Sequence, residues 1–213
     1  MPLFVNRERL VATNLKVAYT SLCSVKTFRR MSRAEFALRA MTGILPATLI
    51  VLVRNPYERL VSFYVQKMKV RPLQCRESSF YWERCQLQLA PFLGVDVYRP
   101  KNEVAEKLLE IKFDEFVEAI DAFVRASSVS RLDAHLRPQA ILLQRLRIAS
   151  PRARWSLVRI EDQDHLQGAV GARLPKMNAT SKGPLREYFD ARTIALTNSI
   201  YSADFRELPY ERW

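Results

Sequence analysis

Residues 48–53 read Thr-Leu-Ile-Val-Leu-Val and stop on Arg54-Asn55-Pro56. A run this short, apolar throughout and rich in β-branched side chains suits a strand covered on both faces. Strands of that kind belong to parallel sheets, whose crossover helices cover both sides. The chain therefore needs helices around the run, and its pattern supplies them. Pro56 fits a first helical turn, and residues 57–68 continue it. Residues 32–42 read as a helix with Phe36, Leu38 and Met41 apolar between arginines. Asp114 is placed to cap a helix in which Phe116, Val117, Ile120, Phe123 and Val124 recur at helical spacing. Further helices are expected at 20–30, 138–148 and 189–205, with strands at 10–13 and 155–160. Alternation of strands and helices makes the class α/β, a central parallel sheet flanked by helices.

The 213 residues suit one domain, 1–213, with no internal repeat. Residues 69–112 break the pattern with Pro72, Pro91, Pro100 and Gly94, and read as a segment covering a substrate. Lys and Arg exceed Asp and Glu by 12 charges, which favours anionic partners: nucleic acid, membrane phosphates, nucleotides or acidic sugars. Only five glycines are present, and no Gly-x-Gly-x-x-Gly fingerprint. Three cysteines without a Cys-x-x-Cys are no disulfide framework, although a Cys75–Cys85 pair within one loop stays open. Two histidines, His135 and His165, stand too far apart in sequence to suggest zinc, and no metal is expected. The N-terminus lacks a signal-peptide core, and no stretch reaches the roughly 18 apolar residues of a membrane span. A cytoplasmic protein is expected, with peripheral membrane contact left open by its basic charge.

Ligands of open α/β sheets sit at the carboxyl ends of the strands. Two segments there carry suitable chemistry. Residues 14–22, NLKVAYTSL, place a lysine and two hydroxyls where a turn enters a helix. Backbone N–H groups of such a turn point at an anion, Lys16 adds a positive charge, and Thr20 and Ser21 can donate. It is not a Walker A loop, which requires glycines before the lysine. An ordinary solvated turn is the alternative. At the second corner, Arg54 ends the apolar strand, where a guanidinium can fork onto phosphate oxygens, and Ser62 follows within two helical turns. Alternatively Arg54 pairs with a carboxylate such as Glu161, and Ser62 merely packs. Together the corners suit a ligand bearing two separate phosphate groups.

VRNPYERLVSFY (53–64) closely resembles the 3′-phosphate-binding motif of the carbohydrate sulfotransferases, the Golgi-type and bacterial sulfotransferase family 2. LKVAYTSL (15–22) resembles their 5′-phosphosulfate loop. DAHLRPQ (133–139), SLVRIED (156–162) and YSADFRELPY (201–210) are weaker echoes in the same order, so the resemblance runs from about residue 10 to 210. Four positions depart from the family's usual pattern: Leu15 for proline, Asn55 for an acid, Leu136 for tryptophan and Pro209 for glycine. None of them removes a group that carries the chemistry.

The resemblance implies a P-loop-like three-layer fold and the sulfuryl donor 3′-phosphoadenosine 5′-phosphosulfate (PAPS). It places Lys16, Val17, Ala18, Tyr19, Thr20 and Ser21 around the 5′-phosphosulfate, and Arg54 and Ser62 on the 3′-phosphate. Lys16 would neutralise charge on the leaving bridging oxygen. His135 would take the proton of an acceptor hydroxyl, on a glycan or glycoconjugate that is anionic if the arginines at 137, 145, 147, 152, 154 and 159 form its lip. A solvated face is the plainer account of those arginines. Glu58 is a second candidate base, and His165 reads as a solvated helix residue. Tyr81, Trp82, Phe92 and Tyr98 are sugar-stacking candidates, and Asn178 and Lys182 are further candidates to face the donor. No specific nucleic acid is expected as partner. Rival readings are a basic nucleic-acid-binding protein without a legible motif, a kinase lacking its Gly-rich loop, and a sulfotransferase-like protein that binds nucleotide without catalysis.

Overall fold

The computed structural model describes residues 2–14, 16–175 and 183–213. In chain order it runs β1 (Leu3–Val5), β2 (Arg9–Thr13), α1 (Tyr19–Ser24), β3 (Arg29–Met31), α2 (Arg33–Thr42), β4 (Thr48–Val53), α3 (Pro56–Tyr64), α4 (Arg84–Leu89), α5 (Lys101–Glu110), α6 (Phe113–Ala126), α7 (Ala140–Ala149), β5 (Ser156–Arg159), α8 (Gln163–Val170), α9 (Ala191–Ile200) and α10 (Ser202–Glu207). The contacts divide it into two units. One comprises 1–55, 139–179 and 203–210; the other comprises 56–138, 180–202 and 211–213.

The first unit holds a five-stranded sheet in the order β3-β1-β2-β4-β5. β4 runs parallel to both β2 and β5, with Thr13 opposite Leu52 and Val53 opposite Arg159. Three strands therefore end at one rim. β1 is antiparallel to β2 and β3, so the sheet is mixed, with its parallel part at the core strands. Every residue of β4 after Thr48 is buried, as the β-branched run requires. Leu49, Val51 and Val53 join Leu10, Ala12, Phe36, Leu142, Leu143, Leu146 and Leu208 on one face. Ile50 and Leu52 join Phe4, Val11, Leu22, Leu166 and Val170 on the other. This alternation, with helices on both faces, makes the three layers.

Several boundaries differ from expectation. The helix expected over 20–30 stops at Ser24, and Arg29–Met31 is β3. Pairing with Leu3–Val5 decides that segment, and local propensity does not. The helix expected over 32–42 is α2; Ser32 caps it, its side chain accepting from the Glu35 N–H at 3.0 Å. Only Phe36 of its apolar residues is buried; Leu38 and Met41 stay 58% and 79% exposed.

In the second unit, α3 runs on through a π-helical stretch, Val65–Val70, and a 3₁₀ turn, Arg71–Gln74. The Phe63 and Phe116 rings stack at 5.7 Å, and Tyr64 meets the edge of Phe113 at 5.2 Å. α6 starts one residue before Asp114: Lys112 holds the cap position, and its N–H donates to Glu115 at 2.7 Å. Residues 69–112 are more regular than their prolines suggest. They carry α4 and a 3₁₀ turn at Ala90–Leu93, both too short for a visible period, and the ten-residue α5, which buries Val104, Ala105 and Leu108. The segment is tied down by a Lys67–Glu83 ion pair, by Gln86 donating to the Lys67 carbonyl (2.8 Å) and by Tyr64 donating to that of Ile111 (2.8 Å). Residues 189–205, expected as one helix, break at Tyr201 into α9 and α10. Cys23, Cys75 and Cys85 are all free thiols, so the Cys75–Cys85 pair is not made. Among the described residues no helix is long and apolar enough to cross a membrane.

Candidate functional site

The turn after β2 is the most strained backbone described. Lys16 (φ 68°) and Ala18 (φ 53°) are its two left-handed residues, and neither is a glycine. Each such residue costs about 1–2 kcal/mol, so the surroundings must impose the shape. They do: Thr13, wholly buried, donates its hydroxyl to the Val17 carbonyl, and Val17 is itself buried in the core. Val17 N–H donates to Asn14 O at 3.2 Å. Left-handed residues at alternate positions turn backbone N–H groups toward one concavity, the form of an anion nest. The side-chain nitrogen of Asn14 is buried with no acceptor among the described residues. Val17 thus contributes backbone only, and Tyr19 packs its ring on Phe4 at 5.8 Å. Thr20 is exposed, whereas the Ser21 hydroxyl donates to the Pro175 carbonyl at 2.6 Å. Leu15 lies outside the described residues.

Arg54 leaves β4 at the neighbouring strand end, and its Nη1 donates to the Lys16 carbonyl at 3.3 Å. The strand-end guanidinium and the lysine turn therefore meet at one rim. The backbone behind Arg54 is held from far along the chain. Gln139, 2% exposed, accepts from the Arg54 N–H at 2.9 Å and donates to its carbonyl at 2.7 Å. Buried Asp204 accepts the Ala140 N–H at 2.7 Å and lies 3.5 Å from the Gln139 amide, fixing the start of α7. Glu161 accepts the Asn55 N–H at 2.7 Å with one oxygen and the Tyr210 hydroxyl at 2.8 Å with the other. The three weaker sequence echoes thus converge: Gln139 and Glu161 bond the Arg54–Asn55 turn, and Asp204 and Tyr210 of the third bond those two residues in turn. Their family spacing was legible; the roles of Gln139, Glu161, Asp204 and Tyr210 were not.

Ser62 and His135 belong to the second unit. Ser62 is buried in the second turn of α3. His135 sits in the irregular stretch 132–138 before α7, its side chain 24% exposed. Its Nδ1 lies 2.6 Å from Asp133 Oδ1, and its backbone N–H donates to that same oxygen at 2.9 Å. Burial pushes the Asp133 carboxyl up, but those hydrogen bonds and the Arg84 charge outweigh it and leave it below the usual carboxylate value. Arg59, the other arginine of the 53–64 stretch, is 1% exposed and donates to the Ala134 carbonyl at 3.4 Å.

Cys85, Asp133 and His135 each offer a potential ligand atom within 4.8 Å of the others. Two ligands on one tetrahedral zinc stand about 3.3 Å apart. The 2.6 Å between Nδ1 and Oδ1 is a hydrogen bond instead. Burial, with the Asp133 and Glu83 charges, pushes the Cys85 thiol up to about 12 and keeps it protonated.

Of the arginines at 137–159, Arg137 is spent on the Leu132 carbonyl, Arg147 pairs with Glu207 at 2.6 Å, and Arg159 lies over Tyr210. Arg145, Arg152 and Arg154 are exposed. Tyr81, Tyr98 and Phe92 are exposed aromatics, Phe92 also meeting Phe123, whereas Trp82 packs on Phe80. His165 is exposed on α8, as expected. Asn178 and Lys182 lie outside the described residues.

A mixed sheet whose neighbouring parallel core strands end in a lysine turn and an arginine corner defines an α/β protein with its polar chemistry at the carboxyl rim. The family model described as the sulfotransferase family matches residues 14–211, from the lysine turn to the C-terminal tail. The chain belongs to that family, and sulfuryl transfer is its class of reaction. Comparison with curated proteins and with solved structures gives no match.

Proposed function

We propose that this sulfotransferase moves a sulfuryl group from PAPS to a hydroxyl of a carbohydrate or glycoconjugate. The observation that carries the reading is the Arg54 Nη1 bond to the Lys16 carbonyl, which brings the guanidinium of one strand end onto the backbone of the lysine turn at the next. The residues fit a nucleotide with phosphate at both ends. A turn with left-handed Lys16 and Ala18, a buried Asn14 amide nitrogen without an acceptor among the described residues, and an arginine whose backbone Gln139 braces support the reading. PAPS supplies an activated sulfuryl group with a good leaving phosphate.

The chain's own groups do the rest. Arg54 and Ser62 hold the 3′-phosphate. The backbone of residues 16–21, with the Thr20 hydroxyl, orients the 5′ end, and the Lys16 ammonium neutralises charge that develops on the bridging oxygen. The Ser21 hydroxyl, bonded to Pro175, shapes the turn from behind. His135 accepts the proton of the attacking hydroxyl. Residues 69–112 cover the acceptor, with Tyr81 and Tyr98 as exposed rings for a sugar face. The protein acts in the cytoplasm on this reading.

Thermal-shift titration with adenosine 3′,5′-bisphosphate against AMP tests it. A ligand that binds only the folded state raises Tm by mass action. The bisphosphate is expected to give the larger shift, and Arg54→Ala to erase the difference. Equal shifts in the wild type mean that the 3′-phosphate is not read, and the assignment fails. Transfer of radiolabelled sulfate to a glycan panel then identifies the acceptor class.

A further inference from the structure

We propose that Asp133 is a positioning residue for His135, holding its imidazole as the Nδ1–H tautomer so that Nε2 is the nitrogen free to accept a proton. The inference rests on the reading of His135 as the base of the transfer. Its chemistry follows from hydrogen-bond roles. An ionised carboxylate only accepts. Asp133 Oδ1 lies 2.6 Å from Nδ1, so Nδ1 must donate, and a neutral imidazole then carries its lone pair on Nε2. The same oxygen also takes the His135 N–H at 2.9 Å, so one carboxylate sets both the backbone and the ring.

The loop around the pair is held more firmly than a connection between helices requires. Gln88 spans it, accepting the Asp133 N–H at 2.8 Å and donating to the Arg131 carbonyl at 2.9 Å. Arg137 donates through Nε and Nη2 to the Leu132 carbonyl at 3.2 and 2.8 Å. Arg59 takes the Ala134 carbonyl. Leu132 and Leu136 are buried on either side, and the Phe63 ring lies 6.2 Å from the imidazole. Three of the four peptide units between Arg131 and His135 are therefore fixed by side chains, in a segment with little regular structure. Such bracing places a proton-transfer group without help from a helix or strand.

The chain has two histidines, which makes a direct test practical. A His165→Gln background removes the exposed one and leaves His135 as the single imidazole. Long-range ¹H–¹⁵N correlation on ¹⁵N-histidine protein then reports which ring nitrogen of the neutral form carries hydrogen. The Nδ1–H pattern is expected, with Asp133→Asn shifting the ring toward Nε2–H. An Nε2–H wild type, or a ring indifferent to Asp133→Asn, overturns the proposal. In turnover, Asp133→Asn is expected to lower kcat about 10²-fold, the order general-base catalysis contributes, with the thermal shift by adenosine 3′,5′-bisphosphate retained. Asp133→Glu, which keeps the acceptor, should restore part of the loss. Unchanged kcat in Asp133→Asn overturns the proposal as well. If the wild type transfers no sulfate and shows no preference for the bisphosphate over AMP, the functional reading falls, while the tautomer still decides whether Asp133 orients the ring.

Discussion

The Lys16 turn and the Arg54 corner meet at one rim and are built in opposite ways. The turn is local. Its shape comes from two left-handed residues and from bonds among Thr13, Asn14 and Val17, all within five positions of each other. The corner is assembled from afar: Gln139 lies 85 positions from Arg54, and Glu161 lies 106 from Asn55. The turn is thus fixed by neighbours in sequence and by the core around Val17, the corner by residues brought from far along the chain. On the proposed reading the turn faces the end of the nucleotide where charge builds, and the corner the end that stays unchanged.

Substitutions can break that contrast, and the largest effect is expected at the corner. Arg54→Ala should weaken binding of adenosine 3′,5′-bisphosphate about 10²-fold by calorimetry, as charge-assisted bonds contribute about 1.5–3 kcal/mol each. Arg54→Lys should recover little, because an ammonium cannot fork. Lys16→Ala should spare that affinity to within about tenfold while lowering kcat on the order of 10²-fold, since its charge counts most in the transition state. A fall in affinity with unchanged kcat would make Lys16 an anchor like Arg54 and erase the distinction.

Smaller effects sharpen it. Gln139→Ala leaves the Arg54 N–H and carbonyl without their partner and should cost about 1–3 kcal/mol of stability in urea titration, with several-fold weaker bisphosphate binding. Ala18→Gly relieves a left-handed residue and should raise stability by up to about 1 kcal/mol, with affinity slightly reduced as the free turn samples more states. If Ala18→Gly damages binding more than Gln139→Ala does, local strain sets the site and distant bracing does not.

Much of this was readable from the chain alone where the signal is short-ranged. The β4 run, the 32–42 helix and the Pro56 helix start each express a preference over a few residues. β3 was missed because Arg29–Met31 becomes extended only by pairing with Leu3–Val5, which itself went unread as a strand of three residues. α4 is hidden by its brevity, and α5 by the prolines around it. Asp133 escaped notice although Asp-x-His is visible in DAHLRPQ, because the spacing alone does not say that the ring turns back onto the carboxylate.

By itself the sequence determined that a doubly covered strand would end on a guanidinium, that a lysine turn would follow an earlier strand, and that the family motifs would recur in order. Those properties depend on side-chain periodicity and identity, which act over a turn of helix or a few residues of strand. Tertiary structure alone decided that Gln139 and Glu161 would close on the backbone of Arg54 and Asn55, that Tyr210 would back Glu161, that the Ser21 hydroxyl would be committed to Pro175, and that Asp133 would hold a ring nitrogen of His135. The physical reason is directional: a hydrogen bond needs both partners within a few tenths of an ångström, a condition met only when the packed chain brings distant segments together.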